Sequence, residues 1–465
     1  MAGPLQNPFM FKSAAGATGF YTHQIANSVR MIMADGSRLR YTPSSAGNRT
    51  TWSISMWVKR AKLGDEQFLY EAGASGDADT RLRLVFTDDD KIMVGTGNAN
   101  LVTSTAVFRD PSAYYHIMWK NASNTNTVHV NGVQATTVTI SGNTAINSTV
   151  VHGLGCRGAS GDDTSSSLDG YIAEFVLFDG TAYDYTDVTD SKNGVLIPVD
   201  PSGLTLSGTN TAWLKFQTAA DIDDDSSGNT NDYTASNIAT HDQMLDSPTF
   251  GSSSSGNFCT MNPLFKTPDV TFSEGNLAMT NTTNNRGCMG NFAVPSTGKW
   301  YWEYRCTTIA EGHQYRVGIN YEDNDFTANE RGNSAEGVNY DSYDGNKRVD
   351  NGTSASYGAS YTTTDVIGVA VDRSANTIQF YKNNSAQGTI DISGLQQSKF
   401  FPFAGHGGGT ASQTIKFNFG ADSSFSGSGT AGSGVDSNGY GNFVYTPPTD
   451  FLALCSGNLP TAAAV

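Results

Sequence analysis

Apolar and polar residues alternate along most of the chain. In Trp52-Ser-Ile-Ser-Met-Trp-Val58 the alternation puts Trp52, Ile54, Met56 and Val58 on one face, the period of a strand that buries one side. Ser28–Met33 and Ser37–Tyr41 alternate around Asp35-Gly36, a pair that predicts a tight hairpin turn. Phe68–Tyr70, Arg81–Phe86, Tyr114–Trp119 and Thr127–Val130 continue the pattern, and Asn131-Gly132 predicts a second hairpin into Val133–Thr139. Asp169–Phe178 reads as the strand that closes this set, and about a dozen such strands predict a sandwich. A second set follows: Lys299–Tyr304, Tyr315–Ile319, Asp365–Asp372, Thr377–Tyr381 and Ile415–Phe419. In each set an alternating strand is followed by an Asn-rich turn and a returning strand, at 126–134 and at 376–390, which suggests one architecture used twice.

The stretches between these strands set the boundaries. Residues 1–24 scatter Pro and aromatics among glycines without a core of their own and read as an arm. A first sandwich is expected over 25–216, an acidic and Ser-rich linker over 217–257, and a second sandwich over 258–425. Residues 426–465 combine a Gly/Ser-rich segment with a tail whose Tyr445–Leu454 is apolar enough to dock back. The expected class is all-β: two antiparallel jelly-roll sandwiches in tandem behind an N-terminal arm.

Composition narrows the function. With 50 Gly and only 15% charged residues, the Ala-, Leu-, Glu- and Lys-rich runs of long helices are missing. A net charge of −16 argues against nucleic acid as a partner, because phosphate binding needs a basic face. No uninterrupted apolar stretch reaches bilayer length, so membrane insertion is not expected, and the N-terminus lacks the pattern of a secretory signal. Cys156, Cys259, Cys288, Cys306 and Cys455 are odd in number and widely spaced, which signals neither a disulfide framework nor a zinc site. They fit buried thiols of a chain folded in a reducing cytoplasm.

Two families are resembled. Arg40–Lys59, Asn131–Gln134 and Leu168–Phe175 resemble a laminin-G/concanavalin-like domain, and Gly298–Glu303, Asp365–Asp372, Ile378–Lys382 and Phe401-Pro402-Phe403 are similar to a SPRY domain. Their order, joined through Trp213–Phe216 and Asp225–Asp232, resembles virion proteins of tailed phages, marine ones included. The resemblance implies concanavalin-like sandwiches in a bacteriophage structural protein that is made in the host cytoplasm, released by lysis and resident in the virion. It implies a tail-fibre-like, receptor-binding role toward host cell-surface carbohydrate, with the arm docked on other phage virion proteins. A homo-oligomer is expected, a trimer by analogy with phage fibres. A capsid decoration or head-fibre protein is the alternative, since it would share every one of these features.

The chain carries no nucleophile elbow, zinc-protease pair or phosphate loop, so no enzyme is expected. A polysaccharide depolymerase is the rival in that class, but the short repeats of a β-helix are missing. Glu174 and Glu303 follow strand alternation and read as structural. No cofactor is required; calcium is the one candidate. Asp221, Asp223, Asp225 and Asp232 fall at the first, third, fifth and twelfth places of a calcium loop, but Ser226 stands where the turn wants Gly. The alternative is an acidic turn whose carboxylates cap its own backbone. Residues 320–352 form the most unusual polar stretch, with Tyr321, Phe326, Tyr340, Tyr343 and Asp344. Flat rings beside carboxylates and amides suit sugar recognition, and in SPRY-like domains the strand-connecting loops bind; alternatively Tyr340 and Tyr343 pack the loop down.

Overall fold

Strand Thr51–Arg60 is flanked on one side by Tyr115–Ala122 and on the other by Gly170–Asp179, both antiparallel. Its alternation is realised in packing: Trp52, Ile54, Met56 and Val58 all lie in the main core cluster, with the Trp52 ring edge-on to Trp119 at 4.9 Å. The computed structural model describes residues 20–73, 81–97, 99–158, 164–251, 254–282, 286–309, 314–322, 337–350, 352–395, 399–407 and 412–459. Two units divide them, the described residues through 251 and those from 254 onward. The protein is nearly all-β, two tandem sandwiches of antiparallel sheets.

In the first unit an eight-stranded sheet runs in the order Val133–Thr139, Thr125–Val130, Tyr115–Ala122, Thr51–Arg60, Gly170–Asp179, Ser28–Met31, Gln243–Met244, with Ala212–Leu214 also beside Gly170–Asp179. It faces a seven-stranded sheet in the order Thr234–Ser236, Arg38–Tyr41, His152–Leu154, Gln67–Ala72, Leu82–Phe86, Ile92–Thr96, Ala99–Thr103. Side chains from both inner faces share one core, with Tyr70 of one sheet stacked on Phe175 of the other at 5.6 Å. Each fully buried side chain of this kind contributes about 1.5–3 kcal/mol.

Three expectations change here. Asp35-Gly36 does not turn a hairpin, because Ser28–Met31 and Arg38–Tyr41 belong to different sheets. A type I′ turn needs positive φ at both central residues, whereas here Met33–Asp35 is a short 3-10 turn and only Gly36, at φ 64°, is left-handed. The pair is a corner that carries the chain across the core. Gly170–Asp179 does not close the sheet but lies inside it, as its lack of polar alternation allows. The stretch 217–257, read as a linker, supplies edge strands: Thr234–Ser236 pairs with Arg38–Arg40, and Gln243–Met244 with Ser28-Val29. Edge strands face solvent and carry polar residues, so the pattern looked like a loop. Of the arm only 20–24 is described, where Phe20 and Tyr21 pack with Phe250.

The second unit pairs a six-stranded sheet, Met261–Lys266, Arg286–Gly290, Phe400–Gly407, Gln314–Tyr321, Val338–Asp341, Lys347–Val349, with an eight-stranded one. The latter runs Thr271–Ser273, Ala278–Asn281, Gln413–Asn418, Lys299–Thr308, Val366–Asp372, Thr377–Lys382, Ser385–Asp391. The Tyr304 hydroxyl crosses the core to donate to the Phe403 carbonyl at 2.9 Å. Leu452–Ala453 lies parallel against Trp300-Tyr301, so the chain returns to its own sandwich after the Gly/Ser stretch. Both sandwiches end the eight-stranded sheet with a two-residue hairpin. Asn131 and Gly132 have φ 50° and 77°, and Asn383 and Asn384 have φ 46° and 66°, the positive values that match the twist of paired strands.

Candidate binding surfaces

Residues 338–349 are not one long loop. Val338–Asp341 and Lys347–Val349 pair as a hairpin on the edge of the six-stranded sheet. Tyr340 is core: it packs among Tyr357, Tyr361 and Phe380, and its hydroxyl donates to the Ala359 carbonyl. Tyr321 is also buried, stacked on Phe400, with its hydroxyl donating to Asp350 at 3.1 Å. Phe326 lies outside the described residues.

The hairpin tip is different. Tyr343 stands 59% exposed. Asp341, held by Arg316 at 2.9 Å, accepts the Tyr343 amide at 2.9 Å and so shapes the turn. Burial raises the Asp341 carboxyl, and Arg316 works against that rise. Asp344 accepts the Asn346 amide at 3.0 Å and its side-chain nitrogen at 2.7 Å, and the same nitrogen reaches Ser354 at 3.0 Å. The tip therefore offers an open aromatic face beside a carboxylate, an amide and a hydroxyl. Of the four candidate ligand residues the fold brings two, Tyr343 and Asp344, to the surface together.

The acidic loop spends its carboxylates on its own backbone. Asp225 takes the amides of Trp213 and Ser227 on one oxygen, and the Asn231 amide and Ser227 hydroxyl on the other, at 2.7 to 2.9 Å. Asp223 accepts the Ala235 amide and Asp232 accepts the Asp225 amide, while Asp221 is exposed. Among the described residues no group of three or more His, Cys, Asp or Glu side chains is placed to hold a metal ion. Burial and the charges of Asp221, Asp232, Asp225 and Asp223 raise the neighbouring Asp224.

Glu303 is fully buried and accepts four donors: the Val444 and Tyr445 amides, the Asn418 side chain and the Tyr301 hydroxyl. It fastens the returning chain to the sheet. Glu174 belongs to no strand pairing of its own. The register of Gly170–Asp179 on Thr51–Arg60 slips between Ala173 and Val176, and Glu174 sits in that bulge at φ 43°. Its carboxylate meets His23 at 2.6 Å beside a cavity of about 190 Å3. Sequence reasoning missed this site; the signal was a lone charge inside the run Tyr171-Ile-Ala-Glu-Phe-Val-Leu-Phe178.

Comparison with known families assigns both sandwiches. Residues 35–185 match the concanavalin A-like lectin/glucanases superfamily, and residues 299–422 match the SPRY domain. The chain carries a concanavalin-like domain followed by a SPRY domain. Among solved structures, the SPRY domain of human HERC1 is similar at 18% identity, TM-score 0.30, covering 34% of this chain and 96% of that one. Stonustoxin is similar at 18% identity and TM-score 0.28 over 34% of this chain and 27% of its own, and the TRIM65 PSpry domain at 12% and 0.27 over 34% and 88%. No curated protein matches the chain.

Proposed function

We propose that the chain is a non-catalytic adhesion protein of a bacteriophage particle that recognises host-surface glycan through its SPRY domain. The observation that carries this reading is the tip of the hairpin, where Tyr343 stands open beside Asp344 and Asn346. A sugar needs a flat apolar face and a ring of donors and acceptors for its hydroxyls, and this turn supplies both. The concanavalin-like domain in front of it supports a binding role, since such sandwiches present surfaces from a filled, rigid core. Five buried free thiols suit a chain folded in a host cytoplasm and released by lysis. The arm is the proposed attachment to other virion proteins, and a homotrimer is the proposed assembly.

The test is saturable binding of the purified protein to intact host cells and extracted surface glycans. Tyr343→Ala, at an exposed position, is expected to abolish binding while leaving the melting temperature unchanged. Binding that survives Tyr343→Ala removes the site. An antibody against the chain is expected to label virions; label on the capsid with no cell binding favours the decoration role instead.

A further inference from the structure

The adhesion reading leaves the cavity of the first sandwich without a role. It opens where Gly170–Asp179 changes neighbour along one edge: Ser28–Met31 pairs with it as far as Ile172, and Ala212–Leu214 takes over at Phe175. Glu174 occupies the gap, 6% exposed, in a left-handed conformation that a non-glycine residue keeps only when its surroundings enforce it. His23, Asp200, Trp213, Lys215 and Gln217 line the same cavity.

The polar atoms there are unevenly matched. Glu174 gives Oε1 to His23 at 2.6 Å, and its Oε2 has no partner among the described residues. Asp200 accepts the Ser202 amide at 2.9 Å and is also held by the Ser202 side chain. Lys215, the one lysine of the lining, places its ammonium 3.7 Å from the centre of the Trp213 ring and makes no ion pair among the described residues. The indole face thus already holds a cation, and two carboxylates face the space, Glu174 bound by His23 and Asp200 by Ser202. An anion would meet both carboxylates.

We propose that this cavity binds a small organic cation, a primary ammonium or a guanidinium, whose N–H groups are accepted by Glu174 and Asp200 in exchange for the proton of His23. The exchange makes and breaks no bond between heavy atoms: His23 releases its proton to solvent, and the ligand's positive charge replaces it beside Glu174. Burial disfavours the His23 cation, but the hydrogen bond and charge of Glu174 and the charge of Asp200 outweigh burial and the opposing Lys215, so its proton is held more firmly than usual. The net charge of −16 raises the local concentration of cations.

The experiment is calorimetric titration of the full chain with methylguanidinium chloride, in two buffers of different ionisation enthalpy and over a range of pH. One-site binding is expected with a dissociation constant of order 1 mM for so small a probe. Affinity should rise with pH by up to about tenfold per unit below the pKa of His23, with one proton released per ligand. Asp200→Asn, at an exposed position, should weaken binding several-fold without changing the melting temperature, Glu174→Gln should abolish it, and His23→Gln should bind without releasing a proton. The proposal is overturned if methylguanidinium gives no saturable heat, if its affinity ignores pH, or if glycerol fills the site equally well.

Discussion

Glu303 offers a quantitative test of how the second sandwich holds its returning chain. Oε1 accepts the Tyr445 amide at 2.9 Å and the Tyr301 hydroxyl at 3.2 Å; Oε2 accepts the Val444 amide at 2.9 Å and the Asn418 side chain at 3.0 Å. Burial pushes the carboxyl up to about 7 even though all four donors favour its ionised form. An acid whose folded pKa lies above its unfolded value keeps its proton in the folded state over that interval. Its contribution to stability is therefore complete below about pH 4.5 and is lost as pH rises through about 7. The shift corresponds to about 3 kcal/mol. Glu303→Gln removes this slope. Its amide nitrogen, placed on the Oε1 side, can donate to Tyr301, whose hydroxyl turns to accept, but the Tyr445 amide is then orphaned at a cost of about 1–3 kcal/mol. Urea unfolding between pH 5 and 8.5 should give two curves that cross: wild type more stable at the acid end, Glu303→Gln equal or better at the alkaline end. Parallel curves would refute the reasoning, because they would mean that Glu303 titrates alike in both states.

Three further outcomes follow from the first sandwich. Asp225→Ala strands four donors and should lower stability by about 2–4 kcal/mol, whereas Asp221→Ala, at an exposed position, should change it by less than about 0.5 kcal/mol; urea midpoints distinguish them. Because both Asp225 oxygens are already taken, adding calcium or a chelator should move the melting temperature by less than about 2 °C; a larger rise with calcium would show that the loop reorganises around the ion. Trp52→Ala removes one of two edge-on indoles at the centre of the core and should cost about 3–5 kcal/mol by calorimetry.

The central strands were legible in the sequence because the positions that enter the core recur every second residue, as at Trp52, Ile54, Met56 and Val58, although both faces of that strand are buried. The hairpins at Asn131-Gly132 and Asn383-Asn384 were legible because only a few residue types accept positive φ at both turn positions. The corner at Asp35-Gly36 was not. Its residues suit either a hairpin or a sheet-to-sheet crossing, and the choice is made by long-range partners: Arg30, buried against Asp242 at 2.8 Å, and Leu39, paired beside Leu154. The edge strands at 234–236 and 243–244 were hidden for the opposite reason, since three- and two-residue strands carry too few positions to show a period. At the candidate site, composition singled out residues 320–352 but could not sort their tyrosines. Tyr340 follows an inward position of a strand and Tyr343 falls past its end, a difference of register that appears only once Val338–Asp341 has a partner.

The acidity of the chain also takes on a different meaning. A net charge of −16 suggests solubility, yet many of these carboxylates do not act as solvated charge. Asp436 accepts the amides of Asn438, Tyr440 and Ala453; Asp422 accepts those of Ser424 and Ser426; Asp179 accepts those of Asn48 and Asn210. Each sits where the chain leaves the sheets and its amides lose their ladder partners. A short side chain with two strong acceptor oxygens satisfies several such donors at once. The Gly/Ser segment near the C-terminus illustrates the result. Its residues have little to pack, but Asp422 and Asp436 pin its two ends, and Glu303 holds the chain that follows at Val444 and Tyr445. In a protein whose loops are long and glycine-rich, the carboxylates supply the order that helices or disulfides supply elsewhere.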